Sequence, residues 1–307
     1  MKSTLSVLII ATYIICCLRL RAGPWNYFQI NARHFCRQRG IFSKIALDQM
    51  IPLKWRLHQQ RLSDDYVPAS FPVFLKPEWG QNSVGIERAD NEHQFRSISR
   101  RVRSGPVQYL LQHAAPEARE FEIFTTYTGE NSEQPDYLSV TETVNDTHKY
   151  PINGINNDDC RYRDITDMLT PSELTKISSY VREIGHFGQS RLSVRADTIE
   201  QLIDGDFHVI EINLFTPMPI HLMDAKHSVV NKLRSVLSIS GSLARVTQAM
   251  GYQRNAPAIF IRMTMYGRRH HAAQQAMLEQ SEAVAVANGK LPSTQKKCAN
   301  TVNIHCS

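Results

Sequence analysis

The six cysteines, Cys16, Cys17, Cys36, Cys160, Cys298 and Cys306, include no C-x-x-C pair. The spacing that zinc and thiol redox sites use is therefore absent, and a reduced compartment fits. The chain also lacks G-x-x-x-x-G-K-[ST], which excludes a Walker phosphate loop. It has no internal repeat. No aromatic-studded basic repeat accompanies the local runs Arg100-Arg101-x-Arg103 and Arg268-Arg269-His270-His271. With a net charge of only +6, those runs read as solvated faces, and no nucleic-acid partner is implied. The apolar run 5–18 has 14 residues, short of the ~20 that a spanning helix needs.

What remains is an ordinary globular composition, 42% hydrophobic and 21% charged over 307 residues, enough for one or two domains. The run 5–18 has the length of a signal core, yet Leu20-Arg21-Ala22-Gly23 is a poor cleavage site. Anchor, export signal and buried first helix all stay open. If the segment inserts, Arg19 and Arg21 downstream outnumber Lys2 upstream, which favours a cytoplasmic body. The favoured reading is a buried or membrane-apposed helix, with a membrane contact through residues 5–20.

Periodicity and turn signals predict a helix over 43–60, interrupted near Pro52, and strands over 68–77, 107–112 and 120–127. Thr170-Pro-Ser-Glu carries a capping signature that starts a helix reaching about Ile184. Strands follow over 191–196 and 207–213, then helices over 226–238 and 242–250. From Gly267 a basic helical tail is expected, frayed beyond Gly289. Strands interleaved with helices make the fold class α+β with mixed sheets.

Two stretches carry chemistry. In 206–221, the carboxylate of Glu211 and the amide of Asn213 sit two positions apart on an apolar strand, so both point to one face. Such oxygens are costly to bury unpaired and suit a magnesium ion holding phosphates. In 74–87, Lys76 ends an apolar strand just before a small-residue loop, an arrangement suited to phosphates.

Together these stretches resemble the ATP-grasp superfamily, specifically the catalytic part of the D-alanine–D-alanine ligases. The matching positions are Lys76-Pro77, the loop Gly80-Gln81-Asn82-Ser83-Val84-Gly85, Arg195-Ala196-Asp197 and Glu211-Ile212-Asn213, over roughly 44–224. The resemblance implies an ATP-grasp fold of two subdomains clamping a nucleotide: 67–128 small, 129–266 large with the metal site. Segment 1–22 is the apolar N-terminal piece, 23–66 an extension and 267–307 the tail. It further implies that Lys44, Lys76, Gly80, Gln81, Asn82 and Ser83 meet the phosphates. Gln112, His113 and Ala115 would meet adenine, and Glu120 the ribose. Asp197, 14 positions before Glu211, would join Glu211 and Asn213 on one or two magnesium (or manganese) ions, with Lys76 and Arg195 as the catalytic cations.

The pattern departs from those ligases after Asn213. Pro217 stands at a glycine's place and Leu222 near a serine's, so two donors to an acceptor carboxylate are gone. The acceptor is then a small carboxylate, amino acid or peptide other than D-alanine. Only about 40 residues precede Lys44, where the ligases carry a domain of ~100. Either a partner protein completes the pocket or the acceptor binds differently. His208 and His221 read as structural. The function implied is an ATP- and magnesium-dependent ligase acting through an acyl phosphate. The alternatives are an ATP-grasp kinase and a nucleotide-binding module without turnover.

Overall fold

A computed structural model describes residues 2–63, 65–80, 83, 85–129, 132–145, 160–251 and 257–269, with side chains from residue 4. Two antiparallel sheets organise the chain. The smaller contains β1 (Gln59–Arg61), β2 (Val73–Pro77), β3 (Glu87–Ala89) and β4 (Tyr109–His113), in the order β1-β4-β2-β3. The larger contains β5 (Arg119–Thr126), β6 (Tyr137–Asn145), β7 (Cys160–Asp164), β8 (Gln189–Ala196) and β9 (His208–Asn213), in the order β7-β6-β5-β8-β9. Six α-helices join them: α1 (Lys2–Arg19), α2 (Lys44–Asp48), α3 (Glu92–Arg103), α4 (Pro171–Ile184), α5 (Ile199–Asp204) and α6 (Val229–Met250). A further helix spans 259–269. No single helix among the described residues is long and apolar enough to cross a membrane.

Strand alternation gives each sheet its covered face. In β5 and β8, Phe121, Ile123, Leu192, Val194 and Ala196 point to a core shared with Ile177 and Val181 of α4 and Leu202 of α5. The intervening residues, Glu120, Glu122, Ser193 and Arg195, face the other way and are nonetheless buried. α6 covers one end of that polar face, where Phe124 joins Val236, Ile239 and Leu243. α3 covers the small sheet, packing Phe95 and Val102 on Val73, Leu75 and Leu111. α4 begins at the expected place: the Thr170 hydroxyl accepts from the Glu173 N–H, and the Glu173 carboxylate accepts from the Thr170 N–H.

Several elements differ from the sequence expectation. The helix over 43–60 shrinks to α2, because the chain turns after Asp48 and Pro52 cannot continue a helix. Trp55 then enters the main core and residues 59–61 pair with β4. The two helices expected over 226–238 and 242–250 are one: Ile239, Ser240, Ser242 and Leu243 are all buried, and packing carries α6 through Gly241. Strands β6 and β7 and helices α3 and α5 lay outside the predicted elements. The tail beyond 269 lies outside the described residues.

Candidate functional site

The two sheets meet across a cleft of about 810 Å³ lined by Lys44, Lys76, Gln112, Glu120, Arg195, Glu211 and Asn213. The join is made by polar side chains of the small sheet reaching the backbone of the large one. Lys76 Nζ donates to Gln112 Oε1 at 3.0 Å and to the Ile210 carbonyl at 3.4 Å. Gln112 Nε2 donates to the same carbonyl at 3.1 Å. Lys76 and Gln112 are both buried, and their strands place them together because Phe74 is the direct partner of Gln112 in the β2–β4 register.

Lys44 enters from α2, whose first turn is fixed by the Ser43 cap, and its Nζ lies 3.1 Å from Glu211 Oε1. The Lys76 ammonium is therefore buried near a second cation. Burial lowers its pKa first and Lys44 lowers it further, while Glu211 and Asp48 oppose, leaving it at about 7. Burial raises the Glu211 carboxyl, but Lys44 and Lys76 more than offset this, so it lies below its ordinary value. Asn213 lines the same cleft, and its amide nitrogen is buried without a protein partner. An oxygen acceptor such as a phosphate would satisfy it.

On β5 and β8, Glu120 and Arg195 are direct register partners. Arg195 Nε lies 3.2 Å from Glu120 Oε2, and its Nη1 also donates to the Glu117 and Ala118 carbonyls. The two residues assigned from the sequence to ribose and to phosphoryl transfer thus pair with each other. Burial raises the Glu120 carboxyl, with Arg195 opposing. His113 at the end of β4 and Ala114 and Ala115 beyond it line the cleft, and Gly80 and Ser83 line it after β2. Gln81 and Asn82 lie outside the described residues.

Asp197 is elsewhere. It is exposed, its carboxylate accepts the Ala118 N–H at 2.8 Å, and it is not among the cleft residues. The reason is register: Ser193, not Asp197, pairs with Glu211, and Arg191 pairs with Asn213, with a bulge between Ser193 and Val194. The oxygens facing the cleft are accordingly those of Glu211 and Asn213 together with Glu120 and Glu122, which line it too. The Ser193 hydroxyl donates to Glu122 Oε2 at 2.9 Å, and Arg191 Nε lies 3.2 Å from the same oxygen. No group of three or more His, Cys, Asp or Glu residues suited to a metal occurs among the described residues. Glu122 was missed in the sequence, although its period-2 spacing from Glu120 was a readable signal.

The segment after β9 closes the other end of the cleft. Thr216, Pro217, Met218 and Ile220 line it, and Thr216 has φ 46°, a strained conformation for a β-branched residue. β8 holds the segment in place: Gln189 Nε2 donates to the Pro217 carbonyl and Arg191 Nη1 to the Met218 carbonyl. His221 is buried between Tyr137 and Ser139 and contributes nothing to the cleft lining.

No protein-family model matches the chain, and no curated protein matches it in sequence. Among solved structures it is similar to ATP-grasp ligases. An L-amino acid ligase from Bacillus licheniformis is 18% identical, with TM-score 0.43 over 64% of this chain. This chain spans only 47% of that ligase's length. A D-alanine–D-alanine ligase from Bacillus anthracis is 13% identical, with TM-score 0.45 over 70% of this chain and 67% of the ligase. The ATP-grasp ligase PsnB, solved with a phosphomimetic variant of its minimal precursor, Mg and ADP, is 12% identical. Its TM-score is 0.40, over 64% of this chain and 57% of PsnB.

Proposed function

We propose that the chain binds ATP with magnesium in the cleft between its two sheets. There it activates a small carboxylate as an acyl phosphate for attack by an amine, the acceptor being an amino acid or peptide other than D-alanine. The observation that carries this reading is the convergence of Lys44 and Lys76 with Glu211 and Asn213 on one cleft. Its volume, about 810 Å³, falls inside the range of small-molecule sites, roughly 300–1,000 Å³. Lys44 and Lys76 supply charge for the phosphates, and Glu211 and Asn213 supply oxygens for one or two magnesium or manganese ions. Bound there, the metal would neutralise phosphate charge. The carbonyls of Pro217 and Met218 are held by β8, which leaves the acceptor end apolar beside Ile220. A partner protein completing that wall belongs to the same proposal.

The displaced Asp197 favours one second reading, a nucleotide-binding module without turnover. Purified chain supplied with ATP, magnesium and a panel of amino acids and peptides separates the two. Release of ADP with an amide product supports the ligase. A stable phosphorylated product without an amide selects a kinase, and tight ATP binding with no ADP selects the module. Absence of both binding and ADP removes the nucleotide reading altogether.

Lys76 gives this reading a pH signature. Its pKa near 7 in the free protein must rise when a triphosphate lies beside it, because a nearby anion favours the charged form. ATP affinity is then insensitive to this group below that pKa. It falls by up to about tenfold per unit as pH rises above it, with proton uptake on binding. Calorimetry at pH 8 in buffers of different ionisation heat measures the uptake. An affinity slope unchanged in Lys76→Met assigns the effect to another group.

A further inference from the structure

α1 is apolar on nearly every side, yet only one side is covered. Tyr13 and Cys17 are buried against α6, with Leu5, Ile9 and Leu20 packed beside them. The opposite side carries Val7, Ile10, Ile14, Ile15 and Leu18, between 40% and 67% exposed. At 100° per residue these five occupy an arc about 140° wide. A helix that is apolar all round is ordinarily buried all round, and a contiguous exposed patch of this kind marks an interaction surface.

α6, which underlies α1 through the Ser240 hydroxyl donating to the Ile9 carbonyl, has exposed apolar residues of its own. Leu233 and Leu237 are 42% and 58% exposed. The two helices themselves carry charge of one sign. Neither α1 nor α6 contains an Asp or a Glu, and Arg19, Arg21 and Arg234 are exposed.

We propose that this two-helix face docks onto an anionic lipid surface, with α1 lying in the plane of the interface. The exposed arc of α1 offers apolar area to bury at the headgroup boundary while its other side stays packed on the protein, and anionic headgroups complement the arginines. A second copy of the chain fits less well, because a two-fold contact would set this acid-free basic surface against itself. The proposal is independent of what the cleft binds.

The test is flotation of the full chain with vesicles of phosphatidylcholine alone or mixed equally with phosphatidylglycerol. Binding is expected to the mixed vesicles and only weakly to the neutral ones. The variant Ile10→Ser/Ile14→Ser/Leu18→Ser should lower the partition by about a hundredfold. Arg19→Glu/Arg234→Glu should lower binding to mixed vesicles about tenfold without touching the apolar face. All five positions are exposed, and unchanged thermal unfolding confirms that each variant folds. No vesicle binding by the parent chain, or binding that both variants leave intact, overturns the proposal. So does a solution dimer that the triple-serine variant dissociates while vesicles bind nothing.

Discussion

Glu211→Gln is expected to lower magnesium-dependent turnover of ATP by about a hundred- to a thousandfold while leaving the chain folded. Glu211 sits where charge is most concentrated, 3.1 Å from the Lys44 ammonium and beside the buried Lys76. The glutamine keeps the shape and one oxygen but removes the negative charge that holds a metal and offsets two lysines. The side chain is a quarter exposed, so its exchange opens no cavity. A steady-state ADP assay measures the loss, and thermal unfolding confirms the fold. Turnover within threefold of the parent chain would falsify the placement of the metal at Glu211. Asn213→Ala should act in the same direction, and Asp197→Ala should leave turnover near that of the parent, because Asp197 caps the Ala118 N–H away from the cleft.

The second large effect concerns stability. Trp55→Ala should cost about 3–5 kcal/mol, a large share of the 5–15 kcal/mol typical of a folded domain. Trp55 is 1% exposed. Its ring stacks on Phe207 with centroids 4.9 Å apart and meets Tyr180 edge-on at 5.2 Å. Its Nε1 donates to the Gly205 carbonyl at 2.8 Å. One side chain therefore ties the N-terminal segment to α4 and to the turn before β9. Trp55→Phe keeps the stacking and strands only the carbonyl, at a cost of about 1–3 kcal/mol. Urea unfolding followed by circular dichroism orders the three proteins; equal midpoints for Trp55→Ala and the parent would sink this account.

Much of the candidate cleft was legible because its residues announce themselves against an apolar background. Lys76 at the end of a buried strand and Glu211-x-Asn213 within another are polar groups whose burial needs a reason, and all three line one cleft. The capping box of α4 was readable because it is local. Asp197 was misplaced because register is not local. It lies fourteen positions before Glu211, a spacing suited to adjacent strands and a tight turn. Six of the residues between instead form α5, and the strands pair so that Ser193, four positions before Asp197, opposes Glu211. β7, Cys-Arg-Tyr-Arg-Asp, escaped because it has no apolar alternation, whereas in β6 Leu138, Val140 and Val144 alternate with only Glu142 breaking the pattern, a signal that was passed over. Their placement comes from neighbours in space, including the ion pairs of Glu142 with Arg119 and Arg163.

β9 is the outermost strand of its sheet, and an outer strand ordinarily offers a row of bare N–H and C=O groups on which another chain can template itself. Here two groups of β9 are taken up from within. The Val209 N–H donates to the Trp55 carbonyl, and the Ile210 carbonyl receives both Lys76 and Gln112. Two side chains that face the cleft therefore also keep the strand from recruiting a neighbouring molecule. Loss of solubility in a Lys76 or Gln112 variant would report an unsealed sheet rather than failed chemistry.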